Sequence, residues 1–152
     1  MAIHRERRAV AQPAETFFDV VADVERYPEF LPTIRRARIV SRHAQGYETE
    51  QSLAVGWLIH HFRTRTELDR PHAIHVSSDD RSFCHFDLRW SFAPLADERC
   101  QVDFALDCEM RSFFLMPVIQ MLLLPMASGM VSAFEARVQR LASQRLGGGR
   151  QA

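Results

Sequence analysis

The chain contains no lysine; all 19 of its basic residues are arginine. That excludes Schiff-base catalysis and a phosphate-binding P-loop, both of which need the ε-amino group. A GC-rich coding sequence accounts for the arginine-only usage more simply than a binding role does. Cysteine is scarce, with Cys84, Cys100 and Cys108 as the whole complement. An odd, widely spaced set fits a reducing compartment better than a disulfide framework, and no C-x₂-C pair offers a structural zinc site. His60 and His61 are adjacent, and neighbours on a strand face opposite ways, so they cannot share one metal. The start, Met1 to Arg8, lacks the apolar stretch of a secretory signal and already reads as strand, so a cytoplasmic location is expected. Formal net charge is zero, with 19 acids against 19 bases, which removes any global field for nucleic acid or acidic substrates.

What is present is an ordinary globular balance. The 152 residues are 47% hydrophobic and 25% charged, about one domain with enough chain for a real core. The charges are patterned. Residues 51–111 are net acidic, 112–134 carry no charge, and 135–152 are net basic.

Ile3–Val10 reads as a first strand. Gln12-Pro13-Ala14-Glu15 opens a short helix, with apolar residues at Phe17, Val20, Val21 and Val24, and a second short turn ends at Pro28 and Pro32. From Ile34 to Met110 the period shifts towards two. Strands are predicted at Arg35–Arg42, Tyr47–Val55, Trp57–Asp69, His72–Ser78, Phe83–Ala93 and Arg99–Met110. The short intervening turns indicate an antiparallel meander rather than βαβ crossovers. Phe86, Leu88, Trp90 and Phe92 share one face, as do Val102, Phe104, Leu106, Cys108 and Met110, so the sheet has one covered side. The cover is Ser112–Leu141, a long helix with a stripe at Ala127, Val131, Phe134, Val138 and Leu141. Gly147-Gly148-Gly149 marks the end of order, giving one domain over residues 1–143 and a disordered tail at 144–152.

This order predicts an α+β fold: a curved antiparallel sheet of about seven strands around a long C-terminal helix, with two short helices after strand 1. It is the helix-grip architecture of START-like and birch-pollen-allergen-like proteins. Resemblance to that fold implies a gap between sheet and helix that holds an apolar ligand.

The uncharged segment before Glu135 holds Phe113-Phe114-Leu115-Met116-Pro117 and Met121-Leu122-Leu123-Leu124-Pro125. Its length suits a membrane span, a core helix, or a ligand- or membrane-surface helix. Two prolines and several small polar residues weigh against the span. Pro125 deletes one helical hydrogen bond and predicts a kink or break near Leu122–Pro125.

Asp23-Val24-Glu25-Arg26-Tyr27-Pro28-Glu29-Phe30-Leu31-Pro32 resembles the signature of the bacterial RatA and coenzyme Q-binding START-domain family, within the polyketide cyclase/dehydrase superfamily. Phe86–Pro94, Cys100–Phe104, Glu109–Ser112 and Met130–Arg137 resemble further segments of that family. The sequence departs at Arg81-Ser82-Phe83, where a Gly-Pro-Phe turn is common, and at Pro125. The resemblance implies a non-enzymatic lipid-binding protein that holds ubiquinone and supports respiratory electron transfer, with no cofactor required. It equally implies a ribosome-associating toxin of a toxin–antitoxin system that blocks subunit joining. A polyketide cyclase or dehydratase activity is the third reading.

A polyprenyl quinone needs a dry tunnel and one polar contact. Phe86, Leu88, Trp90, Phe92, Phe104, Leu106 and Met110 are the expected sheet wall. Met116, Met121, Met126, Met130 and Phe134 offer a conformable helix wall. Tyr27, Phe30 and Leu31 are the expected lip. Tyr27, Trp57 or a cavity-facing histidine or arginine would bond the head group. Arg35, Arg36, Arg38 and Arg42 form a run of positive charge with no acid between them. Its readings are a solvated strand edge, or contact with anionic lipid heads at the inner membrane or with ribosomal RNA. DNA binding is not expected. For catalysis, the only candidate couples are His61, Arg63 and Glu67 on one strand and His85 with Asp87 on another, and such i, i+2 sets are usually the wet face of a sheet.

Overall fold

The computed structural model describes residues 2–55, 57–111 and 116–149, and within them the side chains of residues 3–54, 57–111 and 127–145. The elements run β1 (Ala2–Val10), α1 (Ala14–Ala22), a 3₁₀ turn (Val24–Glu29), β2 (Ile34–His43), β3 (Gly46–Val55), β4 (Leu58–Asp69), β5 (Ala73–Ser77), β6 (Phe83–Leu95), β7 (Arg99–Met110) and α2 (Met116–Gly149). All seven strands join one antiparallel sheet in the order β1-β7-β6-β5-β4-β3-β2. The meander and the helix-grip architecture are therefore as the periodicity predicts. Each predicted strand is found within two residues of its expected bounds.

Alternation decides which face is covered. β7 buries Cys100, Val102, Phe104, Leu106, Cys108 and Met110 and leaves the intervening residues partly open. α1 adds Ala14, Phe17, Phe18 and Val21 from its inner face. α2 contributes Ala127, Val131, Phe134 and Val138, a helical stripe with every member essentially inaccessible. Leu141, the expected last member, is only partly buried.

These elements meet at Trp90, which is 2% exposed. Its ring centroid lies 4.7 Å from Phe104, 5.1 Å from Phe134, 6.1 Å from Phe92 and 6.2 Å from Phe17. One indole on β6 thus touches β7, α1 and α2.

The crossover from β1 to β2 is fixed by capping. A helix leaves its last carbonyls unpaired. Here the Tyr27 hydroxyl donates to the Val21 carbonyl, and the Tyr47 hydroxyl donates to the Ala22 carbonyl at 2.6 Å. Burial pushes both phenols above their ordinary range, so they remain protonated donors. At the β2–β3 turn, Gly46 lies so close to β4 that a Cβ there would sit 1.9 Å from the Thr66 carbonyl oxygen.

One expectation about α2 is corrected. The helix runs without a break through Pro125, although a proline removes one hydrogen bond. Helical stability in a folded protein comes mainly from packing of the buried face, and the stripe from Ala127 onward supplies it. The described backbone of α2 ends at Gly149.

The indole contact set makes a stability prediction. Trp90→Ala should lower the unfolding free energy by about 3–5 kcal/mol in urea titration, the usual cost of deleting a large core aromatic. Replacing Arg65, an exposed side chain, should cost under about 0.5 kcal/mol.

Candidate functional site: an apolar cavity between sheet and helix

The inner faces of β3 to β7, the 3₁₀ turn and α2 enclose a cavity of about 130 Å³. Its lining is almost wholly apolar. Tyr27, Leu31, Phe86, Leu88, Trp90, Leu106, Met110, Met130 and Phe134, all expected from the sequence, line it. Four expected residues do not. Phe92 and Phe104 are on the covered face, but Phe92 is filled in beneath Phe17 and Phe18 of α1, and Phe104 packs on Trp90 and His4. Phe30 stacks edge-on against Phe134 at 5.1 Å and lies under the Arg137 guanidinium. Trp57 is in the β3–β4 turn, 92% exposed, with its side chain off the sheet. Met116 lies outside the described side chains.

The Tyr27, Phe30 and Leu31 segment is clamped rather than free. Tyr27 and Phe30 meet Phe134, and Glu29 accepts from Arg137 at 3.0 Å. Arg137 and Arg26 together hold the Glu29 carboxyl below its ordinary value.

Most lining residues that sequence reasoning missed come from β3, β4 and β5, with Val21, Val24, Ile34, Phe83 and Cys108 as the others. Tyr47, Gln51 and Leu53 face inward, as do Leu58, His60, Phe62, Thr64 and Thr66, then Ile74 and Val76. The signal was available: every second residue of β4 from Leu58 to Thr66 is uncharged or His60, and the other set is Ile59, His61, Arg63, Arg65 and Glu67. His60 and His61 accordingly lie on opposite faces.

Polar atoms in the cavity are nearly all engaged. The Thr49 and Thr64 hydroxyls are 2.6 Å apart, and the Gln51 amide donates to both. Tyr27 and Tyr47 cap α1. His60 is the exception. Its Nε2 is buried and lacks a hydrogen-bond partner, alone in this among the described cavity-lining side chains. The ring stacks on Phe62 and meets Phe83 edge-on. Burial pulls its pKa below the ordinary 6.5, so the imidazole is neutral at pH 7 and can donate or accept. Cys108, also in the wall, has its thiol pushed up to about 12 by burial and by Asp107, which leaves it protonated.

One stretch of wall is made by side chains instead of backbone. β5 pairs with β4 only from Arg65 to Asp69 and with β6 only from Asp87 to Ser91. Below that, no strand is paired between β4 and β6, and Phe62, Phe83 and Phe86 fill the seam at ring separations of 5.1 to 5.9 Å. The loop after β5 folds back here, with Asp80 accepting from the Arg63 amide at 3.0 Å and Ser78 donating to the Arg63 carbonyl.

The candidate catalytic couples are on the other face. His85 bonds Asp107 at 2.8 Å, Asp87 bonds His75 at 2.6 Å and Arg89 at 2.8 Å, and none lines the cavity. Arg36 and Arg38 also point outward, into an open polar cleft beside His61 and Arg63. Arg35 sits at a register shift between Ile34 and Arg36, and Arg42 pairs opposite Tyr47 near the far end of β2.

Residues 10–135 match the family model described as "Polyketide cyclase / dehydrase and lipid transport". The chain belongs to this family. Ribosome association toxin RatA of Pseudomonas aeruginosa is 29% identical over 142 residues, covering 93% of this chain and 99% of that protein. Coenzyme Q-binding protein COQ10 homolog B, mitochondrial, of Xenopus laevis is 25% identical over 144 residues, covering 91% of this chain and 58% of its relative. The Zhui aromatase/cyclase from a Streptomyces species superposes with a TM-score of 0.79 at 18% identity, over 91% of this chain and 93% of that one. That last likeness establishes the shared helix-grip fold. Among the described residues no helix is long and apolar enough to cross a membrane.

The His60 environment predicts an acid-side effect. The folded protein binds this proton less readily than the unfolded chain does. Stability therefore rises with pH through the window below 6.5, and is lost as pH falls through it. Urea midpoints at about pH 7 and about pH 5 should differ more in the wild type than in His60→Phe.

Proposed function

We propose that this protein binds an apolar ligand carrying a carbonyl or hydroxyl group, with a polyprenyl quinone as the leading ligand class, and that it does so without catalysing a reaction. The observation that carries the reading is His60 Nε2, a polar atom without a partner in an otherwise satisfied apolar wall. A buried donor or acceptor left unpaired costs free energy that a matching ligand atom recovers. The family description's lipid transport and the coenzyme Q-binding relative support the same class.

Size limits what fits. The cavity of about 130 Å³ is comparable to the engineered cavity of roughly 150 Å³ that takes benzene, and is smaller than typical pockets of about 300–1,000 Å³. One ring fits; a prenyl tail requires the side-chain seam between β4 and β6 to part. Tyr27 and Tyr47 are already bonded and Trp57 faces solvent, so His60 is the residue assigned to the head group. A cyclase-type reading gains little here. The cavity's other titratable groups are two capping phenols and a protonated thiol, and His60 lacks a partner acid.

The full-length similarity to RatA favours a second reading, ribosome association. Sucrose-gradient sedimentation of ribosomes with excess protein tests it: co-migration or a changed subunit profile supports it, and an unchanged profile removes it.

The ligand reading has its own test. Organic extraction of freshly purified protein followed by mass spectrometry should recover a prenyl quinone or a related lipid. A short-chain quinone should bind the purified protein, and His60→Phe should weaken it about two- to tenfold while leaving a ring-sized hydrocarbon unaffected. No extracted lipid together with no quinone binding would overturn the proposal.

A further inference from the structure

The β3–β4 hairpin has two unlike sides. Its inner side gives Leu53, Leu58 and His60 to the cavity. Its tip presents Trp57, 92% exposed, and on the outer side the first residue is Ile59, 45% exposed. A large aromatic held this far into water gains nothing for the fold. Moving up the outer face, two cross-strand rows follow. Arg36, Ser52 and His61 form one, and Arg38, Glu50 and Arg63 the next.

These rows border an open cleft of about 460 Å³, also edged by Asp80. Its charges are not mutually cancelled. Glu50 is taken by Arg38 at 3.2 Å. Asp80 is occupied by the Arg63 and Ser82 backbone amides and the Ser82 hydroxyl. Ser52 and His61 bond each other at 2.7 Å. Arg36 has no ion-pair partner among the described residues, while the Arg63 charge helps to hold the nearby Asp80 carboxyl below its ordinary value; both arginines are exposed. The order away from the tip is thus apolar residues, then the row of Arg36, Ser52 and His61, then the row of Arg38, Glu50 and Arg63.

We infer that this outer face docks on a phospholipid bilayer, with Trp57 and Ile59 entering the interface and Arg36 and Arg63 contacting headgroup phosphates. The spacing suits it. From Trp57 to His61 is roughly 13 Å at about 3.3 Å per residue. A side chain seated about 5–10 Å into the headgroup boundary therefore leaves the Arg36 row near the level of the phosphates, with the Arg63 row about 7 Å farther out and reaching back along its long stem. Tryptophan is the residue that favours this depth, carrying an apolar body with a polar N–H. Because the whole chain is neutral, attraction to an anionic surface has to come from such a local group. The alternate residues of the same hairpin line the cavity, so a docked molecule would hold its ligand wall against the membrane. Docking rests on the ligand reading only for what is exchanged; the surface itself stands apart from it.

Vesicle co-sedimentation and tryptophan emission test the inference. The chain has two tryptophans, and Trp90 is buried, so a blue shift on adding vesicles reports Trp57. Phosphatidylcholine vesicles containing phosphatidylglycerol should bind the protein, and binding should fall as salt rises. Trp57→Ser should weaken it about tenfold, and Arg36→Gln and Arg63→Gln about fivefold each. Thermal melts should show all three variants folded, as their side chains are exposed. His60→Phe should dock normally, which separates failure here from failure of the ligand reading. Four results would overturn the inference: no vesicle binding, binding unchanged in the variants, binding of inorganic phosphate without vesicles, or a dimer by sedimentation velocity that shields Trp57.

Discussion

The fold depends on one indole. Trp90 is the point where the sheet, the first helix and the C-terminal helix are in simultaneous contact, through Phe104, Phe17 and Phe134. A curved antiparallel sheet has no intrinsic reason to hold a helix at a given height along its concave face. The indole supplies that reason by holding Phe134 of α2 against it at 5.1 Å. Phe134 in turn receives Tyr27 and Phe30 from the 3₁₀ turn, and Tyr27 caps α1. The position of the crossover, the end of α1 and the height of α2 are one linked set of contacts. Aromatic pairs in such an arrangement add about 0.5–1.5 kcal/mol each beyond the area they bury.

That packing also explains why the cavity lies where it does. Phe17, Phe18 and Phe92 fill one end of the concave face, so the open volume is displaced to the other end, under β3, β4 and the start of β6. Filling at one end and vacancy at the other is a property of the crossover. It is not a property of any strand.

The strands were legible because burial on one face imposes a period of two, and β7 alternates over its whole length. The face each residue occupies was equally legible, including the opposed His60 and His61. What could not be read was position along the face. Phe92 and Phe104 have the right parity, but Phe92 lies under α1 and Phe104 packs between Trp90 and His4, and no local pattern records where distant elements dock. Trp57 misled for a different reason: aromatic character suggested a wall, whereas a turn position releases the side chain from the pleat. His60 went unassigned because a half-buried imidazole is ordinary until its buried, unpaired nitrogen is located in three dimensions.

The short β5 has a mechanical consequence. Widening a wall built of backbone requires breaking a hydrogen-bonded ladder, a cooperative and slow event. The wall between β4 and β6 is built of Phe62, Phe83 and Phe86, and rings yield by rotamer changes that leave every ladder intact. A turn of these rings would enlarge the interior at the seam with the strand pairing left unchanged.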